Sequence, residues 1–125
     1  MVATLVQVAL GGALGAVLRF AAVQGAIRLF GPAFPFGTLA VNIAGSFLMG
    51  VLFVTLAERD ALRWAPFLMT GILGGFTTFS AFSLDAWRLY SDGAALAAAG
   101  YVLASVLLSI LGLVAGIGLA RSLLA

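Results

Sequence analysis

Apolar residues run almost without interruption through four stretches of the chain, roughly Val2 to Ile27, Phe36 to Ala57, Trp64 to Leu84 and Ala94 to Ala120. Each reaches the ~20 residues that a helix needs to cross the hydrocarbon core of a bilayer. The pattern predicts an all-α membrane protein, residues 1–125 forming one four-helix transmembrane domain. Short links with turn or charge signals join the spans: Gly31-Pro32-Ala33-Phe34-Pro35, then Glu58-Arg59-Asp60-Ala61-Leu62-Arg63, then Tyr90-Ser91-Asp92-Gly93. No basic residue precedes the first span and its apolar stretch is too long for a cleavable signal, so it is expected to stay in the protein. Trp64 and Trp87 bracket the third span as interface aromatics would. Glycines four residues apart, Gly11/Gly15, Gly71/Gly75 and Gly112/Gly116, would let helix backbones approach closely.

Polar residues inside the spans change this picture from an anchor to a site. In the third span, Gly71-Ile72-Leu73-Gly74-Gly75-Phe76-Thr77-Thr78-Phe79-Ser80-Ala81-Phe82-Ser83 sets a glycine pair before a run of hydroxyls. A glycine costs about 1 kcal/mol relative to alanine in a helix, and Ser and Thr compete for backbone partners, so the helix is expected to open here. Open backbone at membrane depth survives only where protein covers it or where it lines a cavity. In the second span Thr38, Asn42 and Ser46 make one stripe at four-residue spacing, and Tyr101, Ser105 and Ser109 make another in the fourth; the two stripes can face each other. Singly such residues serve as interhelical glue. Together with a broken third span they read as donors converging on one region.

Those donors suit an anion. Hydroxyls, a side-chain amide and a phenol present hydrogens, while no carboxylate lies deep in any span; Asp85, at the end of the third, is the nearest. Phe76, Phe79 and Phe82 recur every three residues, and ring edges carry the positive end of the aromatic quadrupole. Three-residue phenylalanine spacing otherwise means packing. Arg19, inside the first span, either snorkels to the interface, draws anions toward a vestibule or locks its helix.

Composition agrees and excludes much. The chain is 64% hydrophobic and 8% charged with mean hydropathy +1.25, where a soluble domain carries about 25% charged residues. With no Cys and no His, disulfides, thiol chemistry and histidine metal sites or proton relays are absent. A net charge of +2 is too small and scattered for a nucleic-acid surface. There is no phosphate-binding loop and no nucleophile triad, so the chain reads as a non-enzyme. Its six basic residues split evenly if Arg19 snorkels toward the nearer end of its span: Arg59, Arg63 and Arg121 on one side of a four-span topology, Arg28, Arg88 and Arg19 on the other. The positive-inside rule then sets no orientation, which is expected of copies inserted both ways and paired antiparallel.

The set Gly12-x-x-Gly15-x-x-x-Arg19, Asn42-x-x-Gly45-Ser46-Phe47 and Gly71-x-x-Gly74-Gly75-Phe76-Thr77-Thr78-Phe79-Ser80-x-Phe82-Ser83 resembles the Fluc (CrcB) family of small fluoride ion channels. Span number, chain length and the stripe on the fourth span fit as well. The resemblance implies an antiparallel, dual-topology homodimer in the bacterial inner membrane, with two pathways selective for fluoride over chloride and working as a passive exporter. Position by position, Phe79 and Phe82 would line the pores, Asn42 would be a pore donor, Thr38 would sit on the pore side of the second span, and Tyr101, Ser105 and Ser109 would form a polar track. Backbone carbonyls of Gly74 and Thr77 would hold a central structural sodium ion between subunits. The competing class, a small dual-topology multidrug exporter, needs an embedded carboxylate in the first span, which this chain lacks. A purely structural subunit would tolerate apolar replacements along both stripes.

Overall fold

The computed structural model describes residues 1–125 and is all-helical, with four stretches long and apolar enough to cross a membrane. Helix α1 runs Val2–Phe30 and α2 runs Phe36–Glu58. The third span begins with a 3₁₀ turn, Leu62–Trp64, and a π-helix, Pro66–Leu73, continues as the short α3, Gly74–Phe76, and resumes as α4, Ser80–Ser91. Helix α5 is Ala95–Leu124. The helices outrun the apolar stretches by a few residues, and Tyr90 and Ser91, expected in the last link, belong to α4. Nothing at those positions stops a helix. The chain turns only at Gly93, whose φ of 83° suits glycine, as Gly31 with φ 80° turns it after α1.

Two close helix pairs organise the molecule. Helix α5 packs along α2, and α1 packs along the π-helix and α3. The glycine pairs explain both. Gly11 and Gly15 of α1 lie against the backbone of Phe67, Gly71 and Ile72, and a Cβ on Gly75 would come within 2.6 Å of the Gly12 carbonyl. On the other pair, Gly116 abuts the Phe47 carbonyl and Gly50 the Leu113 carbonyl. In lipid there is no hydrophobic drive between apolar helices, so this backbone approach supplies dispersion contacts that bulky side chains would forbid. Burial is confined to the seams, while most leucines, phenylalanines and valines of α1 and α5 face outward, as an integral multi-pass membrane protein requires.

The third span is interrupted within the predicted run, at its first hydroxyl and not at its glycine pair. Gly74 keeps helical angles, φ −63° and ψ −37°, whereas Thr77 is extended at φ −88° and ψ 159°. Gly75 is used for packing against α1, and neither glycine opens the helix. A glycine's helix penalty of about 1 kcal/mol is small beside the hydrogen bonds supplied from outside the span, two between Asn42 and Thr78 and one from Arg19 to the Gly75 carbonyl.

Candidate functional site

The interruption removes backbone donors from three carbonyls. In an unbroken helix the amides of Thr78, Phe79 and Ala81 would serve the carbonyls of Gly74, Gly75 and Thr77. Here the Thr78 amide instead donates to Asn42 Oδ1 at 2.8 Å, and the Ala81 amide donates to Thr78 Oγ1 at 3.1 Å. Thr78 thereby caps the start of α4, satisfying one of the donors a helix N-terminus leaves over. Asn42 also donates through Nδ2 to the Thr78 carbonyl at 2.9 Å. Its flat amide thus pairs with the Thr78 peptide on both sides, as a neighbouring strand would. The Gly75 carbonyl is taken by Arg19 Nε at 3.1 Å. The Gly74 and Thr77 carbonyls accept no hydrogen bond within the chain.

Beside this opening lies a cavity of about 420 Å³ lined by Asn42 and Ser46 from α2, Thr77, Phe79 and Phe82 from the third span, and Ser105 and Ser109 from α5. Packing of α5 along α2 is what turns the two polar stripes toward each other. The hydroxyls of Ser105 and Ser109 are buried and have no hydrogen-bond partner in the chain. Buried polar groups are otherwise almost always paired, so two neighbouring orphans on one wall mark a place built for something that accepts hydrogens or for water. Nothing acidic lines the cavity.

Phe79 and Phe82 meet edge to face, with ring centroids 5.4 Å apart at 62°. Phe82 is buried at 7% exposure, while Phe79 is 76% exposed on the open side of the cavity. Behind Phe82 stands Tyr101, fully buried at 0%, packed 5.2 Å from Phe82 and 5.5 Å from Phe34 between centroids. Its hydroxyl donates to Asp85 Oδ2 at 3.2 Å.

Of the residues singled out from sequence, Asn42, Gly74, Thr77, Phe79, Phe82, Ser105 and Ser109 all line this cavity. Thr38 and Tyr101 do not line it. Thr38 opens instead onto a second cavity of about 300 Å³ at the end of the molecule, with Gln24, Phe34, Asp85 and Arg88. Tyr101 and Phe82 separate the two. Arg19 lies across the third span, on the α1 side of the break. Two participants were not evident in the sequence pattern, Thr78 as bracket and cap and Asp85 as the partner of Tyr101. Thr78 carries a recognisable signal, a hydroxyl three residues before the amide it caps. The Tyr101 to Asp85 contact joins two helices and has none.

Comparison with known proteins gives concordant results along the chain's length. Residues 6–117 match the family described as CrcB-like protein, Camphor Resistance (CrcB). The fluoride-specific ion channel FluC of Cereibacter sphaeroides (strain ATCC 17029 / ATH 2.4.9) is 62% identical over 125 residues, covering 100% of both chains. Its namesakes in Paracoccus denitrificans (strain Pd 1222) and Rhizobium etli (strain CIAT 652) are 53% identical over 122 residues and 52% over 118, covering 98% of this chain and of the relative, and 93% and 94%. With near-complete coverage by both kinds of match, and with the bracketed break and polar cavity in a four-span frame, the chain belongs to the CrcB-like family.

Proposed function

We propose that the protein is a fluoride-selective ion channel that lets cytoplasmic fluoride leave down its electrochemical gradient and so confers fluoride resistance. The observation that carries this reading is the cavity wall on which the Ser105 and Ser109 hydroxyls stand unpaired opposite the edges of Phe79 and Phe82. Its relatives' shared name, fluoride-specific ion channel, agrees with it. Fluoride is small and strongly hydrated, and leaving water requires short contacts from several hydrogens at once. Hydroxyl hydrogens, the remaining Nδ2 hydrogen of Asn42 and positive ring edges supply them without any full negative charge to repel the ion. Tyr101, whose hydroxyl hydrogen goes to Asp85, would carry the polar track on toward Thr38 without adding a free donor. A larger, more weakly hydrated halide gains less from such a narrow set of donors.

The chemistry asks for no coupling and no catalysis. Fluoride enters cells as neutral HF from acid surroundings and is trapped as the anion in a more neutral cytoplasm. With the interior negative, outward movement of one anion is favourable by about 2.3 kcal/mol per 100 mV, so an open path in the bacterial inner membrane suffices. A small multidrug exporter would need a carboxylate in α1, and α1 contains none.

Two copies paired antiparallel would complete the pathway. The small difference in end arginines, three against two with Arg19 held at Gly75, supports this, as does the exposure of Phe79 on a chain whose cavity is open on one side. The carbonyls of Gly74 and Thr77 fit a sodium ion shared by the two copies. They are unpaired oxygens without formal charge, and Gly74 lies exposed on the surface of the single chain. Sodium held there would add a fixed positive charge near the anion path. The deciding measurement is anion release from liposomes containing the purified protein. Fast fluoride release with chloride retained is expected, and equal release of both would remove the selectivity.

A further inference from the structure

Arg19 is half-buried within a transmembrane helix, and its one hydrogen bond inside the chain runs from Nε to the Gly75 carbonyl. That carbonyl is one of the three the break deprives of a backbone donor, because the Phe79 amide has turned away. We infer that Arg19 is a positioning residue of the pore: its Nε–H replaces the missing Phe79 amide and holds the break in the shape that sets Phe79, Phe82 and the Gly74 and Thr77 carbonyls. The assignment rests on the channel reading above. It separates two roles that an intramembrane arginine can play, a long-range positive charge for anions and a local donor for a carbonyl.

The geometry favours the donor role. The bond comes from Nε, the nitrogen nearest the backbone, and not from the terminal nitrogens that usually meet anions in a fork. Close packing at Gly11, Gly15 and Gly75 holds α1 against the third span, so that the side chain at position 19 reaches Gly75 without a long detour. Asn42 grips the far side of the same break at Thr78. The opening is thus clamped from α1 and α2 together, each side chain standing in for backbone groups that the third span has given up.

A set of isosteric replacements tests this. Glutamine carries its amide nitrogen on Cδ, the same position as arginine Nε, so Arg19→Gln keeps the donor and drops the charge. Arg19→Met keeps the length and drops both. Lysine keeps the charge but carries its nitrogen one bond further out. Fluoride release from liposomes, chloride release from the same liposomes and gel-filtration elution would be measured for the three variants and the unaltered protein. Arg19→Gln should conduct within about threefold of the parent, while Arg19→Met loses about tenfold or more, since a carbonyl left without its donor is an order-of-magnitude effect. Arg19→Lys should fall between them. If Arg19→Met fails to fold while Arg19→Gln folds and conducts, the donor role stands. Loss of flux or of folding in Arg19→Gln with retention in Arg19→Lys would overturn it in favour of charge, and normal flux in Arg19→Met would overturn it altogether. Failure of the unaltered protein to release fluoride would instead strike the channel reading.

Discussion

Three polar side chains in the spans illustrate how the same chemistry serves opposite ends. Asn42 spends its acceptor and one donor hydrogen on the Thr78 peptide, whereas Ser105 and Ser109 spend theirs on nothing in the chain. The two cases predict different signatures. Removing the Asn42 amide leaves a buried N–H and C=O unpaired at about 1–3 kcal/mol each, so Asn42→Leu should lower the melting temperature in detergent and cut fluoride flux together. A Leu variant that melts and conducts like the parent would show the bracket to be incidental. Deleting an already unpaired hydroxyl removes a desolvation cost, so Ser105→Ala and Ser109→Ala should melt at or above the parent temperature yet conduct fluoride more slowly. Flux equal to the parent's would mean that the hydroxyls never meet the ion. Phe82→Ile keeps the apolar volume roughly but removes the ring edge, and slower fluoride flux from a folded protein is the expected result.

Among the elements, the third span differs in kind from the other three. It enters through a 3₁₀ turn and a π-helix, runs through one short α segment, opens at Thr77 to Phe79 and restarts from a Thr78 cap. The glycines on either side of its axis have separate duties. Gly75 faces α1, where an added methyl would meet the Gly12 carbonyl at 2.6 Å, and Gly75→Ala should destabilise the protein by about 1–3 kcal/mol through overpacking. Gly74 faces outward, where the nearest atom to an added methyl is 3.6 Å away. This chain accommodates Gly74→Ala. If a second copy approaches there, that variant should keep its fold but elute as a smaller species, and unchanged elution would argue against a close partner at Gly74.

The entire molecule presents apolar side chains around most of its circumference and, Arg19 apart, an almost balanced set of arginines at its ends. Such a body is held by lipid on the outside and by glycine seams within, and no loop charge commits it to one orientation. Single cysteines introduced at Gly93 and at Ala61 of this Cys-free chain should each label from both faces of the membrane if copies insert both ways. Labelling of each from one face alone would exclude that arrangement. Exchange of sodium for a large organic cation should weaken the association of copies if the Gly74 and Thr77 carbonyls share an ion, and association indifferent to sodium would count against it.

Hydropathy by itself determined the solvent, the number of spans and the two polar stripes, because a bilayer leaves a chain few alternatives to apolar helices of set length. The motif around Gly74 to Ser83 likewise marked where the helix would fail to be continuous. Only the tertiary structure decided which residues opened it. Local preference placed the opening somewhere in the run of glycines and hydroxyls, yet it could not say that Gly74 and Gly75 stay helical and that the backbone parts at Thr77, since the hydrogen bonds that stabilise an opening come from Asn42 and Arg19 on other helices. Long-range donors are invisible to a propensity of about 1 kcal/mol per residue and outweigh it once helices pack. For the same reason the sequence named the stripe on α5 but could not divide it into Tyr101, which braces Asp85 behind the cavity, and the two serines that face into it with hydrogens to give.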